Sequence, residues 1–97
     1  MNTLEEIRER IDEVDERMAE LLAERLQLAR KAAEVKRAQG LPLENPQREA
    51  EILERGAAVF EKKIERELGP DTAKAAREDY IRFQKAVLQI SKDAQKR

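Results

Sequence analysis

From Leu4 to Val35, apolar side chains recur with heptad spacing at Leu4, Ile7, Ile11, Val14, Met18, Leu21, Leu28, Ala32 and Val35. That period marks one long amphipathic helix. Thr3 followed by Glu6 has the spacing of a capping box at its start, and Gly40 with Pro42 stops it. At the α-helical rise, Thr3 to Gln39 extends roughly 55 Å, more than two shorter helices of the same chain can cover. The pattern therefore predicts that another chain buries part of the seam.

After a short connection, Asn45-Pro46 places a good N-cap residue before the residue favoured at the first helical position, so a second helix begins there. Its stripe is Ile52, Leu53, Ala57, Phe60, Ile64 and Leu68, and Gly69-Pro70 ends it near Leu68, with Asp71 or Thr72 available to start a third. That third helix carries the seam Ala73, Ala76, Tyr80, Phe83, Val87, Ile90 and Ala94, beside a polar-tinged row of Gln84, Leu88, Ser91 and Gln95. Both rows can face one interior. With no strand pattern and no repeat beyond the heptads, the expectation is an all-α fold of long, medium and medium helices, one domain spanning 1–97.

One position breaks the first seam: Arg25 stands where the core should be. An unpaired charge in an apolar stripe is costly, so Arg25 needs an anionic partner. Two candidates exist, a glutamate of a partner helix that sets register, or a ligand from outside. Lys36 lies eleven residues on, three turns and about 16 Å along the same side, so the two long side chains could converge on a ligand. Taken alone, Lys36 reads more simply as a solvated cation favoured by the helix C-terminus. Arg8 is about 25 Å along the axis from Arg25, and only an antiparallel partner chain could bring the two together. By itself it reads as a surface residue paired with Asp12 or Asp15. Arg48 and Glu49 fall in the first turn of the second helix, where the dipole does not favour an arginine; the plain alternative is an exposed residue paired with Glu44 or Glu51. Ser91 and Gln95 read alone as the edge of a buried face.

Composition then narrows the chemistry. Charged residues are 42% of the chain, with 20 Lys and Arg against 21 Asp and Glu, so no bulk field draws it to nucleic acid or an anionic membrane. The aromatics Phe60, Tyr80 and Phe83 are too few for a base-stacking platform. Histidine and cysteine are both absent, which removes disulfides, thiolate or imidazole metal sites, Cys/His nucleophilic pairs and the commonest general base. No segment has the length of a membrane span or the form of a signal peptide, and the expectation is a soluble cytoplasmic protein.

The set Arg8, Arg25, Lys36, Arg48-Glu49, Ser91 and Gln95, in this order on this helical plan, resembles the all-helical chorismate mutase family across nearly the whole chain. The most recognisable stretches are Ile11-Asp12-Glu13-Val14-Asp15, Leu21-Leu22-Ala23-Glu24-Arg25, Val35-Lys36 followed by Gly40-Leu41-Pro42, and Asn45-Pro46-Gln47-Arg48-Glu49. The resemblance implies an intertwined homodimeric bundle with two sites, each lined mostly by one chain and completed by Arg8 of the other. It implies that Arg25 and the partner's Arg8 grip the two carboxylates of chorismate, that Lys36 and Gln95 hydrogen-bond its ether oxygen, that Glu49 with backbone near Asn45 holds the ring hydroxyl, and that Arg48 and Ser91 support that end. Many members carry aspartate where Asn45 stands, which places hydroxyl recognition and efficiency in question more than identity.

The implied reaction, chorismate to prephenate in aromatic amino acid biosynthesis, is a unimolecular rearrangement needing no proton transfer, nucleophile, metal or cofactor. A chain without His or Cys suits it. Fused dehydratase, dehydrogenase or ligand-sensing domains and feedback by aromatic amino acids are not expected in this chain. The competing expectations are an isochorismate pyruvate lyase or amino-chorismate mutase in the same pocket, and a non-catalytic dimeric bundle, natural or designed, whose cations only set register.

Overall fold

The computed structural model describes residues 3–97, so the first two residues of the expected domain lie outside the described residues. Three helices follow in chain order: α1 (Leu4–Gln39), α2 (Pro46–Leu68) and α3 (Pro70–Gln95), with no strand among the described residues. The Thr3 hydroxyl accepts the Glu6 N–H at 3.1 Å and so caps α1. Gly40, at φ 67°, ends it in the left-handed region that a residue without Cβ adopts freely. The Leu41 N–H then reaches back to the Lys36 carbonyl at 2.8 Å, a Schellman-type closure.

The Asn45 side chain accepts the Arg48 N–H at 3.1 Å, and Pro46 opens α2 as the dipeptide predicts. The end of α2 at Leu68 also agrees. The start of α3 differs from expectation: it begins at Pro70, without a side-chain cap, and Asp71 and Thr72 already lie inside it. Gly69 alone reverses the chain at φ 88°, and its carbonyl accepts the Ala73 N–H at 3.1 Å. Proline's preset φ supplies the first helical residue that a cap would otherwise prepare.

So short a connection makes α2 and α3 an antiparallel pair. Arg77 of α3 donates to Glu61 at 2.7 Å and lies 3.6 Å from Glu54, both on α2. Those carboxylates, Glu61 first through its hydrogen bond, push the Arg77 pKa above its ordinary value. Phe60 stacks on Tyr80 with ring centroids 5.3 Å apart. Helix α3 packs on both of the others, whereas α1 and α2 do not pack on each other.

The buried core is built mainly of small residues, Ala29, Ala33, Ala57, Ala73 and Ala94, with Val87 and Leu88. Alanines let the helices approach closely but bury little apolar area. The large heptad residues of α1 stay outside: every residue from Thr3 to Leu21 is exposed, with Leu4 at 61% and Leu21 at 60%. The chain is correspondingly elongated, 54 × 28 × 15 Å with a radius of gyration of 16.6 Å, against about 13 Å for a compact domain of this length. No helix among the described residues is long and apolar enough to cross a membrane.

On α3 both rows reach the interior, the seam through Ala73, Val87 and Ala94, but not every seam residue does. Gln84, Leu88 and Ser91 are buried, whereas Phe83 is 53% and Ile90 38% exposed. The polar-tinged row turns inward because it faces the part of α1 that carries Arg25. Phe83 falls beside Met18, Leu21 and Leu22, around an open apolar groove.

At Gly56 the Tyr80 side chain of α3 lies close against α2: a Cβ there would lie 1.9 Å from the Tyr80 hydroxyl oxygen and 2.6 Å from its ring carbon Cζ. Gly56→Ala should therefore destabilise the chain by about 1–3 kcal/mol through overpacking, despite alanine's better helix propensity. Urea melts of the two proteins check this, and equal or greater stability of the variant would contradict the close contact.

Candidate functional site

Because α1 and α2 meet only through α3, a gap remains between them, floored by α3 and closed at one end by the loop that joins α1 to α2. It forms a cavity of about 380 Å³. Arg25 and Lys36 enter it from α1, Ser91, Lys92 and Gln95 from α3, and Asn45, Arg48 and Glu49 from the start of α2. Their local placement follows from the sequence: Gly40 turns the chain at the C-terminal end of α1, and the Asn45 cap starts α2 so that its first turn faces back toward that end.

The half-buried Arg25 donates from Nη1 to the Ser91 hydroxyl at 3.1 Å. This identifies Ser91 as an inward partner and not merely the edge of a buried face. Lys36 donates to the Leu43 carbonyl at 2.8 Å and lies 3.5 Å from Gln95 Oε1. Its position is thus inside the cavity and not in solvent at a helix end. Gln95 is held from its backbone as well, its carbonyl accepting the neighbouring Arg37 guanidinium at 2.5 Å.

Among the described residues no ion pair involves Arg25, Lys36 or Arg48. The pairing of Arg48 with Glu44 or Glu51, weighed on sequence, does not occur; Arg48 is exposed at the cavity wall. Nor is Arg25 paired with a glutamate of its own chain. Two half-buried cations with only neutral protein partners leave an electrostatic deficit that an anion satisfies.

Glu49 is the exception among the site's charged groups: it pairs with Lys92 at 2.9 Å. The hydrogen bond to Glu49 is the largest cause raising the Lys92 pKa above its ordinary value, with Glu44 and Asp93 adding to it against partial desolvation. In the sequence Lys92 is one lysine among the charged residues near the end of α3. The available signal was the acidic Glu49 in the first turn of α2, which needs a counter-ion once its helix packs on α3.

Seven of the eight sequence-derived residues, Arg25, Lys36, Asn45, Arg48, Glu49, Ser91 and Gln95, thus line one cavity of one chain. Arg8 does not. It is exposed on the projecting half of α1, about 25 Å along the helix from Arg25. No group of residues suited to holding a metal ion occurs among the described residues.

Set against known proteins, the chain is 46% identical over 52 residues to the chorismate mutase of Methanocaldococcus jannaschii, covering 54% of this chain and 52% of that protein. It is 44% identical over 55 residues to the bifunctional chorismate mutase/prephenate dehydratase of Aquifex aeolicus, covering 57% of this chain and 15% of that one. To the T-protein of Enterobacter agglomerans it is 47% identical over 47 residues, 48% of this chain and 13% of that one. The chain spans about half the length of the first of these relatives and a small part of the other two. No solved structure matches it significantly. The family model for chorismate mutase type II matches residues 7–96, a stretch that takes in α2, α3, all but the first three residues of α1 and every residue of the cationic cavity, and the chain belongs to that family.

Proposed function

We propose that the protein is a cytoplasmic, homodimeric chorismate mutase, a single catalytic domain that converts chorismate to prephenate. The observation that carries this reading is the pair Arg25 and Lys36, held in a cavity by neutral partners alone. Chorismate is a dicarboxylate, and its [3,3] rearrangement breaks a C–O bond and forms a C–C bond within one molecule. The protein supplies orientation and charge. Arg25, with Arg8 of a second copy, grips the carboxylates through guanidinium forks, and so holds the flexible substrate in the reactive chair.

As the C–O bond breaks, negative charge grows on the ether oxygen. Lys36 Nζ and the Gln95 side chain, already within 3.5 Å of each other, converge on it and lower the barrier. Glu49, aided by backbone near Asn45, accepts the ring hydroxyl, with Arg48 and Ser91 supporting that end of the cavity. Asn45 caps α2 as aspartate would but adds no negative charge beside the hydroxyl.

Three features support a second copy. The heptad residues from Leu4 to Leu21 are exposed, the chain is elongated, and Arg8 is too far from its own chain's cavity to enter it. An antiparallel second α1 covers the seam and carries its Arg8 toward the first chain's Arg25.

Loss of chorismate absorbance reads the activity directly. Lys36→Ala should lower kcat by about a hundredfold to a thousandfold, with KM changed far less and helicity retained; full activity in the variant would remove Lys36 from catalysis. The rate should be flat from about pH 6 to 9, because the sequence has no His or Cys and the raised Lys92 keeps its charge there, its ion pair being lost only as pH rises through that elevated value. A steep optimum near neutrality would contradict this. Mixing Arg8→Ala and Arg25→Ala chains, each weakly active alone, should restore about one intact site per heterodimer, whereas no recovery on mixing would contradict a shared site.

A further inference from the structure

Four cations and two carboxylates line the cavity: Arg25, Lys36, Arg48 and Lys92 against Glu44 and Glu49. The cavity of one chain thus carries a surplus of two positive charges, to which Arg8 of a second copy adds one, and a dicarboxylate complements it. Glu49 threatens that balance, since it shares the cavity with three cations that have no carboxylate partner of their own. A mobile carboxylate there would swing onto Arg25, Arg48 or Lys36 and occupy the groups the substrate requires. It is prevented by a contact from the α3 floor: Lys92 Nζ holds Glu49 Oε1 at 2.9 Å, with both side chains about one quarter exposed, at 24% and 25%. Glu44 lies 4.0 Å from the same ammonium, so the second carboxylate is drawn toward that corner too.

We infer that Lys92 is a positioning residue for the rearrangement, fastening Glu49 to the α3 floor so that its carboxylate neither quenches the substrate-binding cations nor repels the incoming dianion. The inference rests on the mutase reading and adds a residue to it. Lys92 occupies one oxygen of Glu49 and leaves the other free to accept the ring hydroxyl. It acts through Glu49 and through charge, so its removal is felt mainly in substrate capture.

The test is steady-state kinetics on the wild type, Lys92→Met, Lys92→Arg, Glu49→Gln and the double variant Lys92→Met/Glu49→Gln, with circular dichroism confirming equal helicity. Lys92→Met should raise KM about tenfold and lower kcat by a smaller factor, while Lys92→Arg keeps KM within about threefold of wild type because it preserves the pair. In the Glu49→Gln background the same Lys92→Met change should shift KM less than about twofold, the released charge being gone. A KM unchanged in Lys92→Met, an arginine variant as impaired as the methionine one, or an equal Lys92→Met effect with and without Glu49 would overturn the role. So would a loss confined to kcat that tracks thermal stability, the mark of a purely structural contact. A wild type that does not rearrange chorismate overturns the mutase reading and this role together, whereas an active wild type beside an unaffected Lys92→Met removes only the role of Lys92.

Discussion

Arg25 and Lys36 stand on the inner side of a long helix with a serine hydroxyl, a backbone carbonyl and a side-chain amide as their protein partners. Taking a cation partly out of water without a counter-ion costs free energy, and the architecture accepts that cost in one place. Helix α3 packs on both of its neighbours while α1 and α2 stay apart, so the gap between them is a consequence of topology and not of loose packing. The charged ends of Arg25 and Lys36 are directed into that gap. The short α1–α2 loop and the Asn45 cap then bring Arg48 and Glu49 to its far wall.

The same arrangement explains why the single chain looks unfinished. Its own buried core is largely alanine, good for close helix approach but poor in buried area, while leucine, isoleucine, valine and methionine side chains of α1 stand exposed along one stripe. Burying such a stripe is worth about 25 cal/mol per Å², which gives a second copy a strong reason to bind. In the proposed dimer, Arg8 on that projecting stripe would make assembly and site completion a single event.

Much of the fold is legible in the sequence because its punctuation is local. Thr3 with Glu6, Gly40, Asn45-Pro46 and Gly69 each act through one or two hydrogen bonds or a positive φ, and each does in the structure what its residue type predicts. What the sequence could not settle is tertiary. Phe83 and Ile90 fit the heptad seam as well as the buried Ala73, Val87 and Ala94 do, and only the direction from which α1 approaches decides which of them are covered. The start of α3 is not legible from capping residues because a glycine and a proline reverse the chain with no capping side chain. In the site, Arg25 announces itself by interrupting an apolar stripe, whereas Lys92 lies in a charge-rich segment where nothing local distinguishes it from Lys85 or Lys96. Its partner Glu49 is 43 residues away in sequence, and the pairing follows only from the packing of α2 on α3.

A cationic, water-accessible cavity of this size suits a small dianion whose reaction asks only for orientation and for stabilisation of developing negative charge. It contains no imidazole or thiol, and the proposed chemistry uses none. The most direct test of the account is the rate of prephenate formation from chorismate by the purified protein beside Arg25→Leu, a change that makes the seam continuous and leaves the helices able to fold. The account predicts acceleration by many orders of magnitude over buffer in the wild type and its near-complete loss in a folded Arg25→Leu. A wild type no faster than buffer, or a leucine variant as active as the wild type, would contradict it.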